Sequence, residues 1–330
     1  DLAARAHRWD AVLGAGGTSG DVVIRPDLEK LDLSALELIG LDDLRADDSG
    51  RTVGPKAAKL GGLRHAFPKA VAPGVAIPFG LFKAEVLDRP HRNGKGSVFE
   101  WMVQQYRELE ALPDGSEERE RRTEAFRAEL YDIILATQTS QQFQEQLRSA
   151  MLETFGTIDT GVFVRSDTNV EDLAGFTGAG LNLTLPNVVG FEALLEAINR
   201  VWASPFTARA FAWRQSHMES PEHVYTSILL QQSVASDKSG VLVTQDLDTG
   251  DRQVLSVAIN EGVGGAVDGQ AAESLRIDTR DGAVRLLASA TAPWRRLPAA
   301  DGGIEKLPTS GKDAVLQPGE VEQLIAFARD

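Results

Sequence analysis

A chain of 330 residues has room for about two domains, each with its own core. Its 48 acidic side chains against 34 basic ones give a net charge of −14, which disfavours nucleic acid and anionic membranes as partners. It contains no cysteine, which excludes disulfides, thiolate metal sites and thiol nucleophiles and fits a reducing compartment or is neutral about compartment, and no run reaches the roughly 18 apolar residues of a membrane span; a cytoplasmic location is the expectation.

Residues 1–35 read as an extension, with one helix from Ala3 to Leu13 and a Gly-rich connector from Gly14 to Gly20. Leu36 to Leu44 reads as a short strand. Gly54-Pro55 followed by Lys56, Ala57, Ala58, Leu60 and Leu63 predicts a helix, because Pro suits the first helical position and Gly is a tolerable cap. Val71 to Pro78 is apolar between prolines and reads as a strand. Three helices follow: Phe99, Met102, Val103 and Tyr106 share one helical face, as do Phe126, Leu130, Ile133 and Ile134. Thr139 with Gln142 has the spacing of a capping box before Phe143, Leu147 and Met151. The charge run Glu117 to Arg122 reads as a solvated helix face.

Strands dominate from Gly161 onward. Gly161 to Arg165 is one, and Leu181, Leu183 and Leu185 alternate with polar residues. Helices are predicted at Phe191 to Trp202 and Phe206 to Met218. Strands are predicted at Tyr225 to Val234, Gly240 to Gln245 and Gln253 to Ile259. Ser274 to Thr279 and Val284 to Ala288 flank Asp281-Gly282, a two-residue hairpin signal. Pro318 opens a last helix. The pattern is α+β with mixed sheets, not regular βα alternation.

Several chemistries have no carrier. The sequence lacks a Walker-type phosphate loop, a dinucleotide G-x-G-x-x-G after a strand, H-E-x-x-H and G-x-S-x-G, and its five histidines lack metal spacing. Lys56 is a cation in the first turn of a helix, where the macrodipole disfavours it. It is either a surface lysine or half of an anion site in which the ammonium and free N–H groups converge. Arg165 ends an apolar strand, and two roles stand open for it. It forks onto phosphate oxygens, or it is held in an ion pair by Glu171 or Asp172. The small residues Gly178, Ala179 and Gly180 permit close backbone approach to a ligand, or simply make a turn. The crossing after Leu229-Leu230-Gln231-Gln232-Ser233-Val234 can offer backbone groups to an adenine edge, or is a plain hairpin.

In order along the chain, these segments resemble the nucleotide-binding domain of the phosphoenolpyruvate synthase and pyruvate phosphate dikinase family. The family pattern G-G-K-x-A-N-L-G is similar to Gly54-Pro55-Lys56-Ala57-Ala58-Lys59-Leu60-Gly61. V-P-P-G-F-x-I-P is similar to Val71 to Pro78. V-R-S-S-x-x-x-E-D-L-P resembles Val164-Arg165-Ser166-Asp167 through Glu171-Asp172-Leu173, and W-A-S-L-F-T-x-R-A resembles Trp202 to Ala210. The resemblance implies an ATP-grasp-like, two-lobed α+β fold. Its lobes would be 36–188, with a helical insertion, and 189–330, ending before the final ATP-site segment. It implies that Lys56 and Arg165 contact ATP phosphates, that Gly178, Ala179 and Gly180 close over them, and that Gln231, Ser233 and Val234 border the adenine. Mg2+ would be held by ligands beyond residue 330. The implied activity is a phosphotransferase that moves phosphate from ATP to a protein histidine and on to pyruvate or a related acceptor. The phosphohistidine and phosphoenolpyruvate/pyruvate domains of a longer parent chain would be its partners. Alternatives are the same ATP half with a glucan or antibiotic acceptor, or a degenerate nucleotide-sensing scaffold. The chain alone is expected to be inactive and to bind ATP–Mg weakly or not at all. Pro55, Asp167 and Gly265 depart from the family pattern, which has Gly, Ser and Glu there.

Overall fold

The computed structural model describes residues 24–171, 183–267 and 269–329. A first sheet has the order β1-β2-β5-β3-β4, built from β1 (Ile39–Gly40), β2 (Gly74–Ile77), β3 (Val162–Thr168), β4 (Thr184–Val188) and β5 (Thr226–Gln232). Every pairing in it is antiparallel. Side chains alternate between its two faces. Val75, Ile77, Val162, Val164, Ile228 and Leu230 point into the main core. Ala76 and Leu229 point the other way, against Ala57 and Ala58 of α1 (Pro55–Ala66) and against Leu41, Leu44 and Val53.

Helices cover the first face. They are α2 (Phe79–Phe82, running on as a π-helical turn Lys83–Leu87), α3 (Val98–Glu110), α4 (Glu117–Leu135), α5 (Gln141–Phe155), α6 (Phe191–Ala203) and α7 (Ala208–His217). Serines cap α3, α4 and α5, the side chain accepting an N–H of the first turn in each. Ser97 makes a capping box with Glu100, and Ser116 accepts the N–H of Arg119. The capping box expected at Thr139 moves by one residue. Ser140 accepts the N–H of Phe143, while its own N–H and hydroxyl bind the buried carboxylate of Glu85. The run at 117–122 opens α4, and its Arg121 pairs with Glu118 within one turn.

A second sheet, order β6-β7-β8-β9, comprises β6 (Lys238–Val243), β7 (Val254–Glu261), β8 (Glu273–Asp278) and β9 (Val284–Ala288), all antiparallel. Leu255, Val257, Leu275 and Ile277 pack on Val315, Leu316 and the α8 (Pro318–Arg329) residues Val321 and Ile325. A further hairpin, β10 (Trp294–Pro298) with β11 (Ile304–Pro308), has no counterpart in the expectations from sequence. Asn187 holds it to β4. Its side-chain amide donates to the carbonyls of Ala299 (2.7 Å) and Gly303 (2.9 Å).

The core changes later than the division expected at Val188 to Gly190. Helices α6 and α7 and strand β5 share the first core, and the second sheet begins at Lys238. The reason is β5, which pairs between β2 and β3 and so carries the chain back through the first sheet. The expected helix Ala3 to Leu13 lies outside the described residues.

Candidate functional site

Register builds the site. Arg165 of β3 lies opposite Leu229 of β5, and Asp167 lies opposite Ser227. Alternation puts Phe163, Arg165, Asp167, Ser227 and Gln231 on the face that α1 covers. Helix α1 reaches this face with Gly54 and Pro55 at its start, and neither offers a side-chain acceptor for its first N–H groups. Asp167 supplies it from across the fold. The Lys56 N–H donates to its Oδ1 (3.0 Å) and the Ala57 N–H to its Oδ2 (2.8 Å). Gly54 N–H donates to the Ser227 hydroxyl (2.9 Å), which donates in turn to the Asp167 carbonyl (2.7 Å).

Two departures from the family pattern, Pro55 and Asp167, therefore fit together around Gly54. Pro55 removes one orphan N–H, and Asp167 takes two others. Gly54 is needed because a Cβ there would collide with the Asp167 carboxylate. The expectation that free N–H groups at this helix start converge on a ligand is corrected: those of Lys56 and Ala57 are taken by a side chain. The signal was readable, since a Gly-Pro start with no capping side chain needs an acceptor from elsewhere, and Asp stands where the pattern has Ser.

Lys56 is bound to these carboxylates, and Arg165 stands beside them on the same face of β3. Lys56 Nζ forms an ion pair with the nearly buried Glu171. Arg165 donates from Nη1 to Gln231 Oε1 (2.9 Å), and both Asp167 and Glu171 act on its charge. Burial draws the Arg165 guanidinium below its ordinary range, against the pull of those two acids. Asp167 has no solvent exposure, and burial pushes its carboxyl up to about 7, although Lys56 and the two N–H donors favour the charged form. Of the two partners weighed for Arg165, Glu171 pairs with Lys56, and Asp172 lies outside the described residues.

The remaining expected positions divide. Gln231 joins the cluster through Arg165. Ser233 uses its N–H on the carbonyl of Gly161, and its hydroxyl is buried without a hydrogen-bond partner among the described residues. Val234 is half exposed at the strand exit. Gly178, Ala179 and Gly180 lie outside the described residues. Gly265 has no room for the family's Glu, since a Cβ there would lie 2.8 Å from Asn260 Nδ2. Nearby Glu261 is engaged with Ser310. A groove of about 530 Å3 between β8, β9 and α8 has an apolar lining of Leu275, Val284, Leu286, Leu316, Val321 and Ile325, and it belongs to the other sheet.

The family described as the pyruvate phosphate dikinase AMP/ATP-binding domain matches residues 51–324, and this span contains the whole cluster. The chain belongs to this family. Among relatives of the dikinase domain, a probable phosphoenolpyruvate synthase of Methanothermobacter thermautotrophicus is 33% identical over 131 residues, 39% of this chain and 19% of the relative. A rifampicin phosphotransferase of Bacillus cereus is 27% identical over 277 residues, 84% of this chain and 30% of the relative. The phosphoenolpyruvate synthase of Pyrococcus furiosus is 30% identical over 154 residues, 47% of this chain and 19% of the relative. The dikinase-family domain thus spans less than a third of the length of these relatives. Among its described residues no helix is long and apolar enough to cross a membrane.

Proposed function

We propose that the Lys56–Arg165 cluster is the phosphate-binding part of an ATP site in an ATP-grasp-like domain, and that the domain serves a phosphotransferase. The observation that carries this reading is that two cations 109 positions apart in sequence come to one place, Lys56 paired with Glu171 and its N–H on Asp167, and Arg165 two residues from Asp167 on the same face of β3. Lys56 and Arg165 would neutralise and orient the triphosphate, and Gln231 would hold Arg165 in line. Gly178 to Gly180 would cover the phosphates, and the strand exit at Ser233 and Val234 would border the adenine. The domain would pass phosphate by way of a protein histidine to pyruvate or, as the name of the rifampicin relative suggests, to a different acceptor.

Magnesium finds no ready ligand set here. Among the described residues no group of three acids or histidines could hold a metal, Asp167 is bound to backbone and Glu171 to Lys56. A second reading, a nucleotide-sensing scaffold, is favoured by the occupied helix start, where Asp167 takes N–H groups that a phosphate could use. Calorimetric titration of ATP into the full-length protein tests the proposal, with an assay for transfer of the radiolabelled terminal phosphates beside it. Binding that falls in Arg165→Ala, together with transfer, supports the phosphotransferase. Binding without transfer supports the scaffold, and equal binding by both proteins contradicts the site.

A further inference from the structure

The charges around Asp167 cancel before any ligand arrives. Three charged groups face it among the described residues: Lys56 from α1, Arg165 from its own strand and Glu171 from the turn after β3. Strand β5 faces it with neutral Ser227. With both acids ionised, two cations and two anions leave no net positive charge for a polyphosphate. Inside a buried site that matters more than in water, because charges are less screened there. Asp167 has no means of swinging away. It is fully buried, its two oxygens are fixed by N–H groups of Lys56 and Ala57, and Gly54 is packed against it.

We propose that Asp167 is the positioning residue of Lys56 and that it takes up one proton when a polyphosphate binds the cluster. This rests on the nucleotide reading above. The proton comes from solvent and forms only an O–H bond. One carboxyl oxygen stays free of the proton and continues to accept from the first turn of α1, so Lys56 keeps its place while the cluster gains one positive charge. Burial already holds this carboxyl at about 7, so the proton is exchangeable near neutral pH. A phosphate beside it raises its proton affinity further. Above that value, affinity for the polyphosphate falls as pH rises, by at most about tenfold per pH unit for one proton. The phosphate itself contributes little there, because its last proton leaves near pH 6.

The test is calorimetric titration of ATP into the full-length protein between about pH 7.5 and 8.5, in two buffers of different ionisation enthalpy. The apparent enthalpy should differ between the buffers by the equivalent of about half to one proton per nucleotide, and ATP affinity should fall several-fold across the range. Asp167→Asn should abolish the uptake, and Glu171→Gln should retain it. A wild-type protein that binds ATP without proton uptake overturns this inference alone, as does uptake that survives Asp167→Asn. A wild-type protein that fails to bind ATP overturns the nucleotide reading as well, which is a different failure. The wild-type buffer pair decides the matter even if Asp167→Asn does not fold.

Discussion

The Asp167 carboxylate accepts the backbone N–H of Ala57 at 2.8 Å across 110 positions of sequence. One side chain thereby fixes where helix α1 starts and where its Lys56 stands over the sheet. Asp167→Ala leaves two N–H donors of the helix start without their acceptor. The expected loss is about 2–4 kcal/mol of stability, read from the denaturant midpoint at constant slope. A loss under about 0.5 kcal/mol would mean that solvent satisfies those donors.

Gly54→Ala should destabilise through collision and not through backbone strain. Gly54 is in ordinary extended conformation at φ −77°, but a Cβ would strike the Asp167 carboxylate. We expect a cost of about 1–3 kcal/mol in the wild type and partial relief in an Asp167→Ala background, because the Cβ would still lie 2.7 Å from the Asp167 backbone carbonyl carbon. Additive effects in that double-mutant cycle would show that the two residues do not meet as described.

Stability should carry the mark of the buried carboxyl. Asp167 holds its proton up to about 7, above the ordinary 3.8. Between these values the folded state binds more protons than the unfolded one, so stability falls as pH rises through that window. Unfolding curves of wild type and Asp167→Asn, measured from about pH 4 to 8, should differ in slope over that range and run parallel above it. Parallel curves throughout would remove the shift.

Asn187 ties the β10–β11 hairpin to the first sheet from a backbone with φ 48°, which asparagine tolerates better than most side chains. Asn187→Ala removes both amide bonds. Hydrogen exchange should quicken at Ala299 to Gly303 and along the hairpin, while β2, β3 and β5 keep their protection. Unchanged exchange at the hairpin would mean that other contacts hold it.

Local pattern made most of the helices and strands legible. The apolar spacing of Phe126, Leu130 and Ile134 does mark a buried helix face, and Asp281-Gly282 does lie between paired strands, though within a connection over 279–283 and not in a two-residue turn. What failed was non-local. Nothing near Thr226–Gln232 says that this strand slots between β2 and β3, so the change of core was placed too early. Ser140 displaces Thr139 as a cap because a distant carboxylate, Glu85, completes its hydrogen bonds. At the candidate site, the structure does bring Lys56, Arg165 and Gln231 together beside Asp167 and Glu171. Asp167 was readable only as an awkward charge, because its partners are backbone groups more than a hundred positions away.

Comparing ATP with adenosine on the same proteins tests the central claim most directly. If Lys56 and Arg165 receive phosphate, Lys56→Ala and Arg165→Ala in the full-length protein should each weaken ATP by roughly tenfold to a hundredfold, or about 1.5–3 kcal/mol. Adenosine, which has no phosphate, should bind all three proteins within about twofold. ATP affinity unchanged in both variants, or adenosine lost in parallel with ATP, would contradict a phosphate site at this cluster.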